Sequence, residues 1–110
     1  MSEPASTSTC LEPVGPGFVL VPELRARPGR AEQVLVLLRE LAVLSRGEPG
    51  CRQYRVHRDE EDETTFVLYE EWEDEAAWRR HDTGARVGDL LSALAPDLRE
   101  PVHVRRLLPV

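Results

Sequence analysis

Lysine is missing from this chain: all 14 basic residues are arginine, against 20 acidic ones, and the formal net charge is −6. The preference for arginine fits a GC-rich gene and carries no function by itself. The acidic balance, with no basic stripe, argues against nucleic acid and against anionic membrane surfaces as partners. Long apolar runs are also missing. No segment approaches the roughly 20 apolar residues that a membrane helix needs. The opening stretch MSEPASTSTCLEPVGPG has neither the basic start nor the apolar run of a signal peptide. A cytoplasmic protein is the expectation. Cysteine is scarce: Cys10 and Cys51 are the two present, read as unrelated free thiols in a reducing compartment. His57, His81 and His103 are far apart in sequence, and neither cysteine has a close His or Cys neighbour, so no metal-ligand spacing exists. No repeat of solenoid period is found.

A chain of 110 residues allows one domain. Residues 1–17 are rich in Ser, Thr, Pro and Gly and have little to bury, so they are expected to be a disordered tail. The domain is then 18–110. FVLVPELRAR, residues 18–27, reads as a strand, and Pro28 and Gly29 turn the chain. From Arg30 to Arg46 the apolar residues Val34, Leu37, Leu38, Leu41 and Leu44 fall on one face of a helix. GEPG, residues 47–50, stops it, with Gly47 as the C-cap. Cys51–Arg58 reads as a second strand, DEEDE (59–63) as a solvated turn, and Thr64–Trp72 as a third strand. Asp74 is placed to cap a helix running to about His81. TGA, residues 83–85, interrupts that helix, and Val87, Leu90, Leu91 and Leu94 mark another. A last strand spans Val102–Leu108.

The order β-α-β-β-α-β is the α+β, ferredoxin-like split βαβ arrangement: one antiparallel sheet with helices on one face. Two strands carry apolar residues on both faces. Phe66, Leu68, Glu70 and Trp72 share one side of the third strand by period two, and Val67, Tyr69 and Glu71 the other; Phe18, Leu20 and Val19, Val21 divide in the same way on the first. Helices can cover only one side. A homodimer with the sheets packed face to face would cover the second. Pro22 cannot donate a ladder hydrogen bond, so a bulge or a gap in pairing is expected there.

Within this pattern the stretch FVLYEEWEDEAAWRRH, residues 66–81, concentrates chemistry. Glu70 sits on an apolar face and must find a partner. On a structural reading that partner is an arginine of another strand, Arg55, Arg105 or Arg106. On a functional reading Glu70 orients His81, or has its own pKa raised enough to act as a base. Trp78 and His81, at i and i+3, share a helix face. His81 is either a helix-end histidine facing the dipole or a base that titrates near neutrality. Trp72 is either core or the wall of a pocket, and Tyr54 either pocket wall or sheet packing, since a bulge would change its face.

The stretch from Glu48 to His81 resembles the antibiotic biosynthesis monooxygenase domain. The likeness lies in E-x-G-C-x-x-Y (Glu48, Gly50, Cys51, Tyr54), F-x-x-x-E-x-W (Phe66, Glu70, Trp72) and an acidic-Ala helix ending in His (Ala76, Ala77, His81). Order and spacing extend it over about residues 18–108. The resemblance implies a dimeric α+β barrel with a pocket in each subunit between sheet and helices. It implies oxidation of small aromatic, quinol- or polyketide-like substrates by dioxygen with no flavin or metal, because the substrate supplies the electrons. On that reading His81, Glu70 and Trp72 are the catalytic candidates, and Phe66, Leu68, Trp78, Tyr54 and Arg86 the substrate-binding ones. Two positions depart from the family pattern. Leu68 stands where oxygenase members have an asparagine thought to help activate dioxygen. Gly84, Ala85, Arg86 and Val87 replace a Ser-Pro-His-Phe-like run, and Arg86 could hold an anionic group. A ligand-binding dimer, or an isomerase of a small hydroxyketone using His81 and Glu70, are the alternatives on the same scaffold; haem degradation fits less well, because only His81 offers an axial ligand.

Overall fold

A computed structural model describes residues 17–110. The tail expected over 1–17 therefore lies, apart from Gly17, outside the described residues, as does Cys10. The elements in order are β1 (Phe18–Arg25), α1 (Ala31–Arg46), β2 (Cys51–Arg58), β3 (Thr65–Trp72), α2 (Glu75–Asp82), α3 (Ala85–Leu94) and β4 (His103–Leu107), with a 3₁₀ turn at Ala95–Asp97. This is the expected β-α-β-β-α-β order, with the second crossover split at Thr83 and Gly84. The four strands form one antiparallel sheet in the order β2-β3-β1-β4.

The α1 face is centred where the apolar periodicity puts it. Val34, Leu38 and Leu41 are fully buried with Ala42 and Ser45, while Leu37 and Leu44 are half-buried flanks. The Ser45 hydroxyl is satisfied within the helix, donating to the Leu41 carbonyl at 2.6 Å. On the sheet, Phe18, Leu20, Leu24, Phe66, Leu68 and Trp72 are buried beneath the helices. On the opposite face Val21, Val67 and Tyr69 are half-buried. Asp74 caps α2, its side chain accepting from the Ala77 N–H at 2.8 Å.

Three local details decide how the sheet is aimed. Pro22 leaves a gap: β1 pairs with β3 at Leu20↔Glu70 and resumes at Glu23↔Val67, with no change of register across it. The bulge lies in β2 instead, between Cys51 and Gln53, and sets Tyr54 opposite Glu70. The 59–64 turn is tied by its own carboxylates. Asp62 accepts from the Thr64 N–H (3.0 Å), the Thr64 hydroxyl (2.7 Å) and the Thr65 hydroxyl (2.8 Å). Those donors hold its carboxyl down at about 2.

The left-handed residue of the α1–β2 connection is Gly50, at φ +84°, rather than the C-cap Gly47, at φ −87°. Gly50 also faces α2 so closely that a Cβ there would lie 2.5 Å from Ala77 Cβ. Its carbonyl accepts from the Glu73 N–H at 2.7 Å. The turn is thus pressed against the start of α2. Gly29 shares the positive φ, at +79°, but has open space around it. Gly50→Ala is expected to cost more than the roughly 1–2 kcal/mol of the backbone conformation alone. Gly29→Ala should cost about that backbone term only. Urea denaturation of the two variants checks this, and equal losses would show that the approach to Ala77 carries no weight.

Candidate functional site

The middle of the sheet's helical side does not close. A cavity of about 180 Å³ lies between sheet and helices, lined among others by Leu20, Leu38, Leu41, Tyr54, Leu68, Glu70, Trp78 and His81. Leu91, Val102 and Val104, all exposed, stand at its rim with Asp82. The wall is apolar except where Tyr54, Glu70 and His81 meet it.

Each of those three has a reason to be there. Glu70 is directed inward by strand parity, yet only 5% of it is exposed. Its partner is not an arginine. Glu70 Oε1 accepts from Trp72 Nε1 at 3.0 Å, two residues along the same strand. Arg55, Arg105 and Arg106 do not meet it because Arg55 and Arg105 belong to the opposite face of their strands and Arg106 lies over the Phe18 ring at 4.1 Å. With no cation fixed beside it, burial pushes the Glu70 carboxyl up from its ordinary value. The Trp72 indole N–H and the His81 ring act against that rise, and Asp82 adds to it.

His81 follows Ala77 by four residues on α2, and both are buried. Its Nδ1 lies 2.6 Å from Glu48 Oε1. Its ring packs 4.5 Å, centroid to centroid, from Trp72 and 5.9 Å from Tyr54. Tyr54 is buried, and burial, then the Glu70 charge, pushes its phenol well above the ordinary range. Cys51 is a free thiol, also raised, by burial first and then by Glu70 and Glu48.

The expected site residues therefore separate into two groups. Leu68, Glu70, Trp78, Tyr54 and His81 reach the cavity. Trp78 stacks on Phe18 at 5.3 Å, so one edge of the wall is an aromatic pair. Trp72, Phe66 and Arg86 are not part of that lining. Trp72 is fully buried behind Glu70 and His81, which it touches from the rear. Phe66 lies at the other end of β3, opposite Arg58 and with that guanidinium 5.0 Å over its ring. Arg86 is exposed and lines an open groove between α1 and α3 with Arg39 and Glu48. Glu48 was missed as a site residue. Its one sequence signal is its place in the quoted E-x-G-C-x-x-Y stretch, and nothing local to a turn glutamate shows that it will meet a histidine 33 residues away. Among the described residues no three His, Cys, Asp or Glu side chains gather as metal ligands. No helix there is long and apolar enough to cross a membrane.

The sequence profile of the antibiotic biosynthesis monooxygenase family matches residues 17–93. The chain belongs to that family. A Bacillus subtilis (strain 168) protein named "Putative monooxygenase YcnE" is 32% identical over 89 residues, 81% of this chain and 94% of that protein. The crystal structure of PA3566 from Pseudomonas aeruginosa superposes with a TM-score of 0.81 at 32% identity, over 88% of this chain and 97% of that one. Rv0793 from Mycobacterium tuberculosis, at 22% identity, a TM-score of 0.80 and coverage of 86% and 95%, shares the fold. The α+β architecture of the family member is thus the one read from the order of its elements.

The raised Glu70 carboxyl has a consequence for stability. In the unfolded chain the group ionises near 4.5, and in the folded chain at higher pH. The unfolded state then releases its proton first, so the wild type loses stability as pH rises through 4.5 toward the native value. Glu70→Gln keeps an oxygen for the Trp72 indole and removes the titration. The thermal midpoint of Glu70→Gln relative to wild type is expected to climb from acid pH to neutrality. A pH-independent difference would show that Glu70 is not strained by ionisation.

Proposed function

We propose that this family member is a monooxygenase that works without flavin or metal on a one-ring phenol or quinol. His81 beside the apolar cavity, its Nδ1 held by Glu48, is the observation that carries the reading. Size supports the substrate class. The cavity of about 180 Å³ is close to the roughly 150 Å³ that takes one benzene ring. It is smaller than the roughly 300–1,000 Å³ of sites for drug-sized ligands.

The chemistry asks little of the protein. His81 takes the phenolic proton at Nε2. The phenolate passes one electron to dioxygen, and the two radicals recombine as a peroxide at a ring carbon. The peroxide takes the proton back, and its O–O bond breaks as the ring C–H is lost. One oxygen stays as a new carbonyl and the other leaves as water, so the substrate supplies every electron. The cavity orients the ring and keeps water away. Trp78 offers a face for it. Trp72, sealed behind the wall, fixes Glu70 and His81 rather than stacking on the substrate. Asp82 and the exposed apolar rim are where a substrate would pass.

A second reading rests on Leu68, which lines the cavity where oxygenase members of the family carry an amide. With no amide there, His81 as base and a protonated Glu70 as acid would suit the isomerisation of a small hydroxyketone. Oxygen uptake decides between the two. With dihydric phenols of one ring, oxygen consumption is expected, and His81→Ala should slow it by about 10²–10⁴-fold. Saturable binding without oxygen uptake, or anaerobic turnover of a hydroxyketone, would sink the oxygenase reading.

The same proposal includes a dimer through the helix-free face of the sheet, where Val21, Val67 and Tyr69 are half-buried. Val67→Arg would place a charge in that contact. Sedimentation is expected to show a dimer for the wild type and a monomer for the variant; a monomeric wild type would remove the partner from the account.

A further inference from the structure

The Glu48–His81 contact links a residue of the inner cavity to a residue of the open groove between α1 and α3. His81 faces the inner cavity and is 5% exposed. Glu48 lines the open groove between α1 and α3, with about a quarter of its side chain in solvent. The contact is 2.6 Å long and spans the turn and α2, two elements held together at Gly50 and Ala77.

A carboxylate can only accept, so the ring nitrogen that faces it carries the hydrogen. That nitrogen is Nδ1. The neutral ring is then left with a bare Nε2, which has no hydrogen-bond partner among the described residues. The Trp72 indole N–H, whose ring packs against His81, is already committed to Glu70.

We propose that Glu48 is the positioning residue of this site: it fixes His81 as the Nδ1–H tautomer, so that Nε2 is the base offered to the cavity. It also stabilises the charge the ring gains when Nε2 takes a proton from a bound acidic group. The proton stays on Nε2 and returns from there, so Glu48 itself need not be protonated in a turnover. The role rests on His81 acting as a base in the cavity, but it does not depend on whether dioxygen or a hydroxyketone is the reactant.

The full chain labelled with ¹⁵N at histidine tests this without a substrate. Long-range ¹H–¹⁵N correlation on the alkaline side of neutrality reads the tautomer of each ring, and His57→Gln and His103→Gln assign the other two. Wild-type His81 is expected as the Nδ1–H form. Glu48→Gln, whose amide can both donate and accept, should give a mixture, and Glu48→Asp should shift part of the population back. An Nε2–H ring for His81 in the wild type overturns the proposal, and that reading needs neither Glu48 variant to fold. Once a turned-over phenol or hydroxyketone is in hand, Glu48→Gln should lower kcat about 10–100-fold with KM little changed. An unchanged kcat overturns it as well. If the tautomer depends on Glu48 and no phenol is oxidised, the positioning role stands and the oxygenase reading falls.

Discussion

The close approach of Gly50 to Ala77 is the contact on which the site depends. A side chain on Gly50 would collide at 2.5 Å, so only glycine lets the α1–β2 turn lie flat on α2. The positive φ at the same residue removes the alternatives a second time. Two residues before Gly50 is Glu48, and four residues after Ala77 is His81. Once the backbones touch, helical spacing brings His81 to the height of Glu48 without further design. The turn that ends a helix is therefore also the support of a catalytic candidate. Local steric permission at one glycine is converted into the position of a ring nitrogen.

Trp72 shows a different limit. Parity places it correctly on the same face as Leu68 and Glu70, yet that face is not uniform along its length. At the middle of β3 the helices stand off and leave the cavity. At its end Trp72 pairs with Phe18 on one side and Cys51 on the other, and α2 closes over it. A residue near the strand's end becomes a strut, and one near its middle becomes a wall. Phe66, at the opposite end, is buried for the same reason. Alternation says which side a residue faces, but the spacing of helices over the sheet decides whether it meets a cavity.

The architecture was legible because its signals are periodic and local. The α1 stripe, the GEPG stop, the Asp74 cap and the two-sided strands each specify their element from neighbouring residues. The resemblance from Glu48 to His81 then gave the family. Tyr54 was not legible, because the bulge at Cys51–Gln53 that turns it toward Glu70 leaves no mark in composition. Of the two readings of Glu70, the arginine partner fails for a related reason. Charge complementarity suggested an arginine, but the arginines of β2 and β4 occupy other positions, and a same-strand indole N–H was within reach. Sequence indicated that Glu70 needs a partner and could not say that a neutral donor would serve.

That neutral donor matters for how the site divides its labour. Two glutamates address one histidine from different environments. Glu70 is buried in the wall, its one hydrogen bond among the described residues comes from an uncharged indole, and burial favours its protonated form. Glu48 keeps contact with solvent on the far side of the ring and meets Nδ1 directly. An arginine beside Glu70 would have favoured its ionised form, because an opposite charge stabilises a carboxylate. The indole avoids this. It orients the carboxyl without adding a compensating charge, so burial remains the largest influence on that group.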